Sequence, residues 1–164
     1  MKKHKGFTVI ELMVVIVVIA ILASIVIMAY TFVRDDGLDS KIRAVVKTAG
    51  DALQLAESQN ELPSAHGYFS NTGGVDSLVP KYLKPGYRDG IKSKNVSDPK
   101  YIFRWYPCKS GAGSAVNGFA IFAALNNPTD DDKAQFNKVR ATCRINASHA
   151  PDTGALRYNY AQVF

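Results

Sequence analysis

Residues Phe7 to Tyr30 read FTVIELMVVIVVIAILASIVIMAY, and every residue from Leu12 to Ala23 is apolar. A helix of these 24 residues would be roughly 36 Å long at about 1.5 Å per residue, enough to cross a hydrocarbon core of about 30 Å. The run contains neither proline nor glycine, and its length favours a helix over a strand. The stretch therefore predicts a membrane-spanning helix.

Glu11 is the one charged residue between Phe7 and Tyr30. A charged carboxylate in hydrocarbon costs about 2.5–3.5 kcal/mol on insertion scales, so it needs a partner or a position near the headgroups. Only Phe7 to Ile10 separate it from the polar leader. Two interpretations are therefore open: Glu11 stays hydrated at the membrane surface, or it pairs with another charge.

The junction before the apolar run carries a more specific pattern. The leader MKKHKG ends in Gly6, and FTVIEL follows it. This combination of a basic leader, a Gly–Phe junction and an early glutamate resembles the class III signal of type IV pilins and pseudopilins, and the resemblance covers about the first 57 residues. It implies that a prepilin peptidase cuts between Gly6 and Phe7 and N-methylates Phe7. It also implies that Glu11 meets the N-terminal ammonium of a neighbouring subunit during assembly.

The charges around the run predict its orientation. Lys2, Lys3 and Lys5 precede the span and only Arg34 follows it closely, so the positive-inside rule places the N-terminus in the cytoplasm. A cleavable secretory signal is the competing interpretation, but its apolar core is normally shorter and no A-x-A site follows the run. Without the leader, 17 basic and 14 acidic side chains remain, a balance too mild to indicate nucleic-acid binding by itself.

Helical periodicity continues beyond the apolar run. Apolar residues recur in one stripe from Leu38 to Ala56, with charged residues on the other face. No proline precedes Pro63, so the simplest interpretation is one long helix whose second half packs on a sheet. The predicted organisation is a leader (1–6), a long helix (7–57, with 7–30 as the transmembrane or filament-core part) and a head (58–164) that begins with a connecting region at 60–100.

Four segments after residue 100 have a strand-like composition and are separated by turns that contain Gly or Asn. They are Tyr101–Tyr106, Gly118–Leu125, Ala141–Ile145 and Leu156–Tyr160. They predict an antiparallel meander of three or four strands, with a short helix at Lys133–Val139. The predicted fold class is α+β, a long N-terminal α-helix packed on a small antiparallel β-sheet head, as in the pilin fold.

Cys108 and Cys143 are the two cysteines of the chain, and both lie in the part predicted to be outside the cytoplasm. A bond between them would add about 3–4 kcal/mol if its geometry is unstrained. Pilins often close their C-terminal region with such a bond, so the resemblance favours a disulfide. The alternative is two free thiols.

Asp130, Asp131 and Asp132 form an acidic triplet, and carboxylate oxygens suit Ca²⁺. Their spacing does not match an EF-hand loop, and the alternative is a solvated turn that caps the short helix after it. The three histidines are scattered, so no further metal site and no cofactor is predicted. Because no nucleophile–base spacing or phosphate loop is present, we predict that the chain is not an enzyme.

The segment from Lys81 to Arg104, called here the basic segment, carries seven basic and two acidic residues. Its basic residues are Lys81, Lys84, Arg88, Lys92, Lys94, Lys100 and Arg104. Cations that neutralise phosphates, with aromatic rings between them, are what DNA capture requires, so DNA is a candidate partner. The preceding residues 35–80 carry seven acids and three bases. The alternative is therefore a solvated face, or one attracted to acidic residues of a neighbouring subunit.

The resemblance implies a structural subunit of a type IV pilus-like filament that polymerises through its N-terminal helix, for adhesion, motility or DNA uptake. Implied partners are other pilins, a prepilin peptidase, and the platform protein and ATPase of pilus assembly. The implied location is the inner membrane as a single-pass precursor, then the extracellular filament. Two alternatives stay open: a pseudopilin of a type II secretion system, and a monomeric bitopic membrane protein whose head binds a ligand or DNA.

Overall fold

The structure, a computed structural model, describes residues 8–108, 118–146, 148–150 and 157–164. Its elements are α1 (Val9–Ser58), β1 (Gly67–Tyr68), 3₁₀ turns at Val75–Leu78 and Pro99–Tyr101, β2 (Phe103–Pro107), β3 (Phe119–Ala123), α2 (Asp130–Thr142) and β4 (Tyr160–Val163). The chain divides into two compact units, Met1–Asp35 and Asp36–Phe164. A long N-terminal helix and a small antiparallel sheet confirm the predicted α+β class.

The four strands form one sheet in the order β1-β2-β3-β4, and each neighbouring pair is antiparallel. Phe103 lies opposite Ala123 and Pro107 opposite Phe119, which sets the register of the two central strands. All five residues of β3 are buried. Its sequence FAIFA is accordingly apolar throughout, as expected of a strand that is covered on both faces.

The second half of α1 supplies one side of the core. Ile42, Val46, Ala49 and Leu53 are fully buried, and they belong to the same hydrophobic cluster as the sheet residues. They recur at intervals of three or four positions, so the amphipathic stripe predicted from the sequence is confirmed there.

Helix α2 packs on the sheet through Phe136, whose ring lies 5.7 Å from that of Phe122. Its start is fixed by a capping box, in which the Thr129 hydroxyl accepts from the Asp132 N–H and the Asp132 carboxylate accepts from the Thr129 N–H. The helix is longer than the predicted Lys133–Val139. It also includes the first residues of the segment Ala141–Ile145.

The predicted strand at Ala141–Ile145 is wrong. Helix α2 continues to Thr142, and the chain then turns at Cys143 and Arg144, where Arg144 has a positive φ of 52°. The alternation of Ala141, Cys143 and Ile145 imitates a strand, but the capped helix before it extends through the first two residues. The last strand, β4, lies further along the chain than the predicted Leu156–Tyr160, whose first residue is outside the described part.

The connecting region 60–100 contributes to the core despite its irregular backbone. It contains β1, which the sequence did not predict, and the first 3₁₀ turn. Phe69, Val75 and Leu78 from this region are buried. The connection therefore covers one edge of the core rather than forming only an exposed loop.

Two polar contacts join α1 to the segment that follows β3. The buried Asp39 carboxylate accepts hydrogen bonds from the backbone N–H groups of Asn126 and Asn127 at 2.6 and 2.7 Å. One turn later, Arg43 donates two hydrogen bonds to Asp132, both at 2.7 Å. Each contact satisfies polar groups that would be costly to bury unpaired.

The Arg43–Asp132 pair predicts a pH dependence of stability. Burial acts to raise the pKa of Asp132, but the hydrogen bonds from Arg43 and Thr129 outweigh it and hold that pKa below its ordinary value of 3.8. A carboxyl whose pKa is lower in the folded state stabilises the fold at neutral pH, and this contribution disappears as the pH falls through the folded-state pKa.

We therefore expect Asp132→Asn to lower the free energy of unfolding by about 1–3 kcal/mol at neutral pH. The difference from the unsubstituted chain should shrink between about pH 5 and about pH 3, as measured by denaturant titrations. Asp131→Asn, an exposed neighbour in the same helical turn, is the matched control. A gap that stays constant across that pH range would contradict the prediction.

Candidate functional site

The N-terminal apolar segment is the first candidate site. From Val9 to Val33, the large apolar side chains of α1 are between 47% and 75% exposed. Within the described residues, α1 is the one helix long and apolar enough to cross a membrane. Such a surface is unfavourable in water because its apolar side chains are not removed from solvent. Contiguous exposed apolar patches of this kind mark interaction or membrane sites. Lipid or other apolar helices are therefore the environment that this segment fits.

Glu11 lies at the start of this segment and is held by Thr8. The Glu11 Oε2 atom accepts from the Thr8 N–H and from the Thr8 hydroxyl, both at 2.8 Å. The Thr8 hydroxyl accepts in turn from the Glu11 N–H at 3.3 Å. These contacts form a capping box that fixes the carboxylate beside the first turn of α1. Gly6 and Phe7, the predicted cleavage and methylation residues, lie outside the described residues.

Thr8 is a residue that the sequence reasoning missed. The signal for it is the pattern T-x-x-E at Thr8–Glu11, a capping-box signature directly before an apolar run. The same carboxylate that is costly in hydrocarbon also satisfies a backbone N–H at the helix start.

The two cysteines meet within the unit Asp36–Phe164. Cys108 directly follows β2 and Cys143 directly follows α2, and the structure joins them in a disulfide with their Cα atoms 4.5 Å apart. Both residues are buried. The bond therefore ties the helix to the end of a central strand.

The basic segment is largely engaged by other groups of the chain. Lys81 pairs with Glu61, Arg88 with Asp76, and Lys100 with Asp98. Glu61 and Asp76 belong to the acidic residues at 35–80. Basic and acidic residues that the alternative interpretation paired between neighbouring subunits therefore pair within one chain at these two positions.

Two further cations of the basic segment have partners. Lys94 Nζ donates to Asn127 Oδ1 at 2.7 Å. Arg104 donates to the backbone oxygen of His149 and stacks on Tyr68, with its guanidinium carbon 4.1 Å from the ring centroid. Lys84 and Lys92 are exposed. Glu61 and Asp76 lie outside the segment and offset the charges of Lys81 and Arg88, so the segment's excess of five positive charges falls to three when these two partners are counted.

The acidic triplet Asp130–Asp132 has the structural role of a helix start. Asp130 accepts from Lys133 at 2.9 Å, and Asp132 completes the capping box and binds Arg43. Among the described residues, no group of three or more His, Cys, Asp or Glu side chains could hold a metal ion. The helix-capping interpretation of the triplet is confirmed.

Comparison with known proteins adds one match. Residues 1–27 match the family described as the prokaryotic N-terminal methylation motif. No curated protein and no solved structure matches the chain. The matched residues contain the basic leader, the Gly6–Phe7 junction, Glu11 and most of the apolar run. This motif matches the class III signal peptide of type IV pilin-like proteins, so residues 1–27 carry a pilin-type N-terminal signal.

Proposed function

We propose that the chain is the structural subunit of a type IV pilus-like filament. The observation that carries the proposal is the methylation motif at residues 1–27, which runs into a helix whose apolar side chains are exposed from Val9 to Val33. An anchor needs only to span the bilayer. A subunit that polymerises must also leave it, and an apolar helix that packs against copies of itself replaces lipid contacts with protein contacts.

Processing converts the precursor into a subunit that can assemble. A prepilin peptidase removes residues 1–6 and methylates the new N-terminus at Phe7. Loss of Lys2, Lys3 and Lys5 removes three charges that must remain at the cytoplasmic face and would oppose extraction from the membrane. The platform protein and ATPase of a pilus machine would then drive the subunit into an extracellular homopolymer.

Glu11 supplies the register of assembly in this proposal. The ammonium of one subunit's Phe7 meets the Glu11 carboxylate of its neighbour, so two buried charges become a nearly neutral pair. An axial shift of one subunit would leave both charges unpaired in an apolar bundle, which is strongly unfavourable. The pair therefore selects one arrangement of the helices.

The proposal is tested in cells that express the chain from its native locus. We expect sheared surface filaments to contain the chain without residues 1–6, with a methylated Phe7 identified by mass spectrometry of the N-terminal peptide. In the matched variant Gly6→Val, a bulkier residue at the cut should leave the full-length precursor in the membrane fraction. Assembly of full-length, unmethylated chain in unsubstituted cells would defeat the proposal.

A further inference from the structure

Two asparagines of the chain lie in sequons for N-linked glycosylation, which read Asn-x-Ser or Asn-x-Thr with any residue except proline at x. The two sequons are Asn95-Val96-Ser97 and Asn146-Ala147-Ser148. Asn127-Pro128-Thr129 has the same spacing but is excluded by its proline. Because such short patterns also arise by chance, the surroundings of each asparagine decide which sequon can be modified.

The chemistry requires an asparagine amide nitrogen that an enzyme can reach. In N-glycosylation, the Nδ2 atom displaces the diphosphate from C1 of a lipid-linked oligosaccharide. The Nδ2–C1 bond forms, the C1–O bond breaks with its electron pair leaving on the diphosphate, and one Nδ2 proton passes to a base of the transferase. An Nδ2 atom on an exposed side chain that donates no hydrogen bond within its own chain is therefore suited to this reaction.

Asn146 meets this requirement. The residue is exposed, and its Oδ1 atom accepts from the Ser148 N–H at 3.1 Å. Within the described part of the chain, Asn146 Nδ2 donates no hydrogen bond. Ser148, whose hydroxyl the transferase must also recognise, is exposed, with its Oγ atom 3.5 Å from His149 Nδ1. Ala147 lies outside the described residues and enters only through its identity.

A turn presents Asn146 at the surface. The Asn146 oxygen accepts from the N–H groups of His149 and Ala150 at 2.9 and 3.3 Å. The His149 oxygen accepts in turn from the Arg104 guanidinium and from the Tyr106 hydroxyl, both of which belong to β2. The backbone beside the acceptor is therefore anchored to the sheet, while the amide nitrogen of Asn146 stays available.

Asn95 fails the same requirement. It is half-buried, and its Nδ2 atom donates to the Leu125 oxygen. Val96, the middle residue of that sequon, is buried in the hydrophobic core. Reaction at Asn95 would require this hydrogen bond to break and the chain at Val96 to leave the core, and both changes cost free energy.

We propose that Asn146 carries an N-linked glycan and that Asn95 does not. The donor is a polyprenyl-diphosphate-linked oligosaccharide, and the transfer takes place outside the cytoplasm while the chain is still held in the membrane. The proposal rests on the proposed location of the unit Asp36–Phe164 outside the cytoplasm. It does not depend on filament assembly.

The test uses the full chain from cells that express it from its native locus, because those cells supply their own transferase and donor. Trypsin cleaves after lysine and arginine, so Asn146 is released in the peptide Ile145–Arg157 and Asn95 in the peptide Asn95–Lys100. We expect mass spectrometry to find the first peptide with one added glycan, placed on Asn146 by fragmentation. The second peptide should have its unmodified mass.

Three variants identify the acceptor. Asn146→Gln and Ser148→Ala should each abolish the glycan and the slower migration that it causes in gel electrophoresis. Ser148→Thr keeps the sequon and should retain both. Because Asn146 and Ser148 are exposed, each variant should keep the thermal unfolding midpoint of the aglycosylated chain, which is measured first.

The variant Gly6→Val separates this proposal from the filament proposal, since its unprocessed chain should stay in the membrane and still carry the glycan. Sheared filaments that contain an unmodified Ile145–Arg157 peptide would overturn the glycan proposal and leave the filament untouched. A glycan on Asn95, or one that survives Asn146→Gln, would overturn it as well. A glycosylated chain that never enters filaments would instead contradict the filament proposal alone.

Discussion

Glu11→Ala should reduce the yield of sheared filaments by about a hundredfold or more while leaving removal of the leader intact. The substitution removes the carboxylate that pairs with the Phe7 ammonium of the neighbouring subunit in the proposed filament. Breaking a buried ion pair costs about 3–5 kcal/mol, because the surviving charge is left without a partner in an apolar environment. The measurement is an immunoblot of sheared and membrane fractions, which reports both filament yield and precursor size.

Glu11→Ala should also weaken the start of α1, and Thr8→Ala is the control for this second effect. Glu11 also accepts the Thr8 N–H as the third-residue partner in the capping box, so alanine at position 11 removes that bond from the helix start as well. Thr8→Ala removes the hydroxyl of that box but keeps the charge. Glu11→Gln keeps the shape of the side chain without its charge.

If charge pairing drives assembly, Glu11→Gln should behave like Glu11→Ala, and Thr8→Ala should retain most of the filament yield. A loss of filaments in Thr8→Ala as severe as in Glu11→Ala would instead assign the effect to helix capping. Full filament yield from Glu11→Gln would remove the ion pair from the proposal while leaving the filament itself untouched.

Gly50→Leu should lower the free energy of unfolding of the unit Asp36–Phe164 by about 3 kcal/mol. Gly50 is buried inside α1, and a Cβ atom placed on it would lie 2.2 Å from the ring of Phe164. Phe164 is held at that position by main-chain hydrogen bonds to Phe119 at 2.9 and 3.0 Å. A side chain at position 50 must therefore displace the ring and open the packing between α1 and the chain beside β4.

Gly37 offers a matched control in the same helix. It is exposed, and a Cβ atom built on it meets nothing within 4 Å. Gly37→Ala should therefore stabilise the chain by about 0.5–1 kcal/mol, since glycine is unfavourable inside a helix. Fluorescence of Trp105, the one tryptophan of the chain and a buried residue, follows unfolding in denaturant titrations.

A double-substitution cycle identifies the cause. If the clash with Phe164 is responsible, Gly50→Ala should be destabilising in the unsubstituted chain but stabilising, as Gly37→Ala is, when Phe164→Ala is also present. Equal effects of Gly50→Ala in both backgrounds would show that the glycine is required for another reason.

Much of the N-terminal part of this protein could be predicted from its sequence. A long apolar helix and the methylation motif at residues 1–27 depend on neighbouring residues, so these patterns carry their meaning without any knowledge of distant contacts, and the capping-box pattern at Thr8–Glu11, which the sequence analysis missed, is of the same local kind. The same holds for the stripe from Ile42 to Leu53, because helical periodicity directly reflects which face is buried.

Prediction failed where a local pattern was ambiguous. Ala141, Cys143 and Ile145 alternate as a strand would, but the capping box at Thr129 starts a helix that runs through Thr142. For the basic segment the sequence leaves DNA capture and pairing with acidic residues both open, because it does not state which acid lies beside Lys81 or Arg88. The number of basic and acidic residues in a segment can be counted from the sequence. The attraction of that segment for DNA depends instead on the positive charge that has no acidic partner after folding.

Only the tertiary structure decided which distant residues meet. Asp39 lies 87 positions from Asn126 and Arg43 lies 89 positions from Asp132, and nothing in either local sequence indicates its partner. Gly50 interrupts an otherwise favourable helix and appears as a defect until the ring of Phe164 is seen against it. Local patterns are set by the nearest few side chains, but contacts of this kind exist only once the chain has folded, because packing brings together residues that share no sequence pattern.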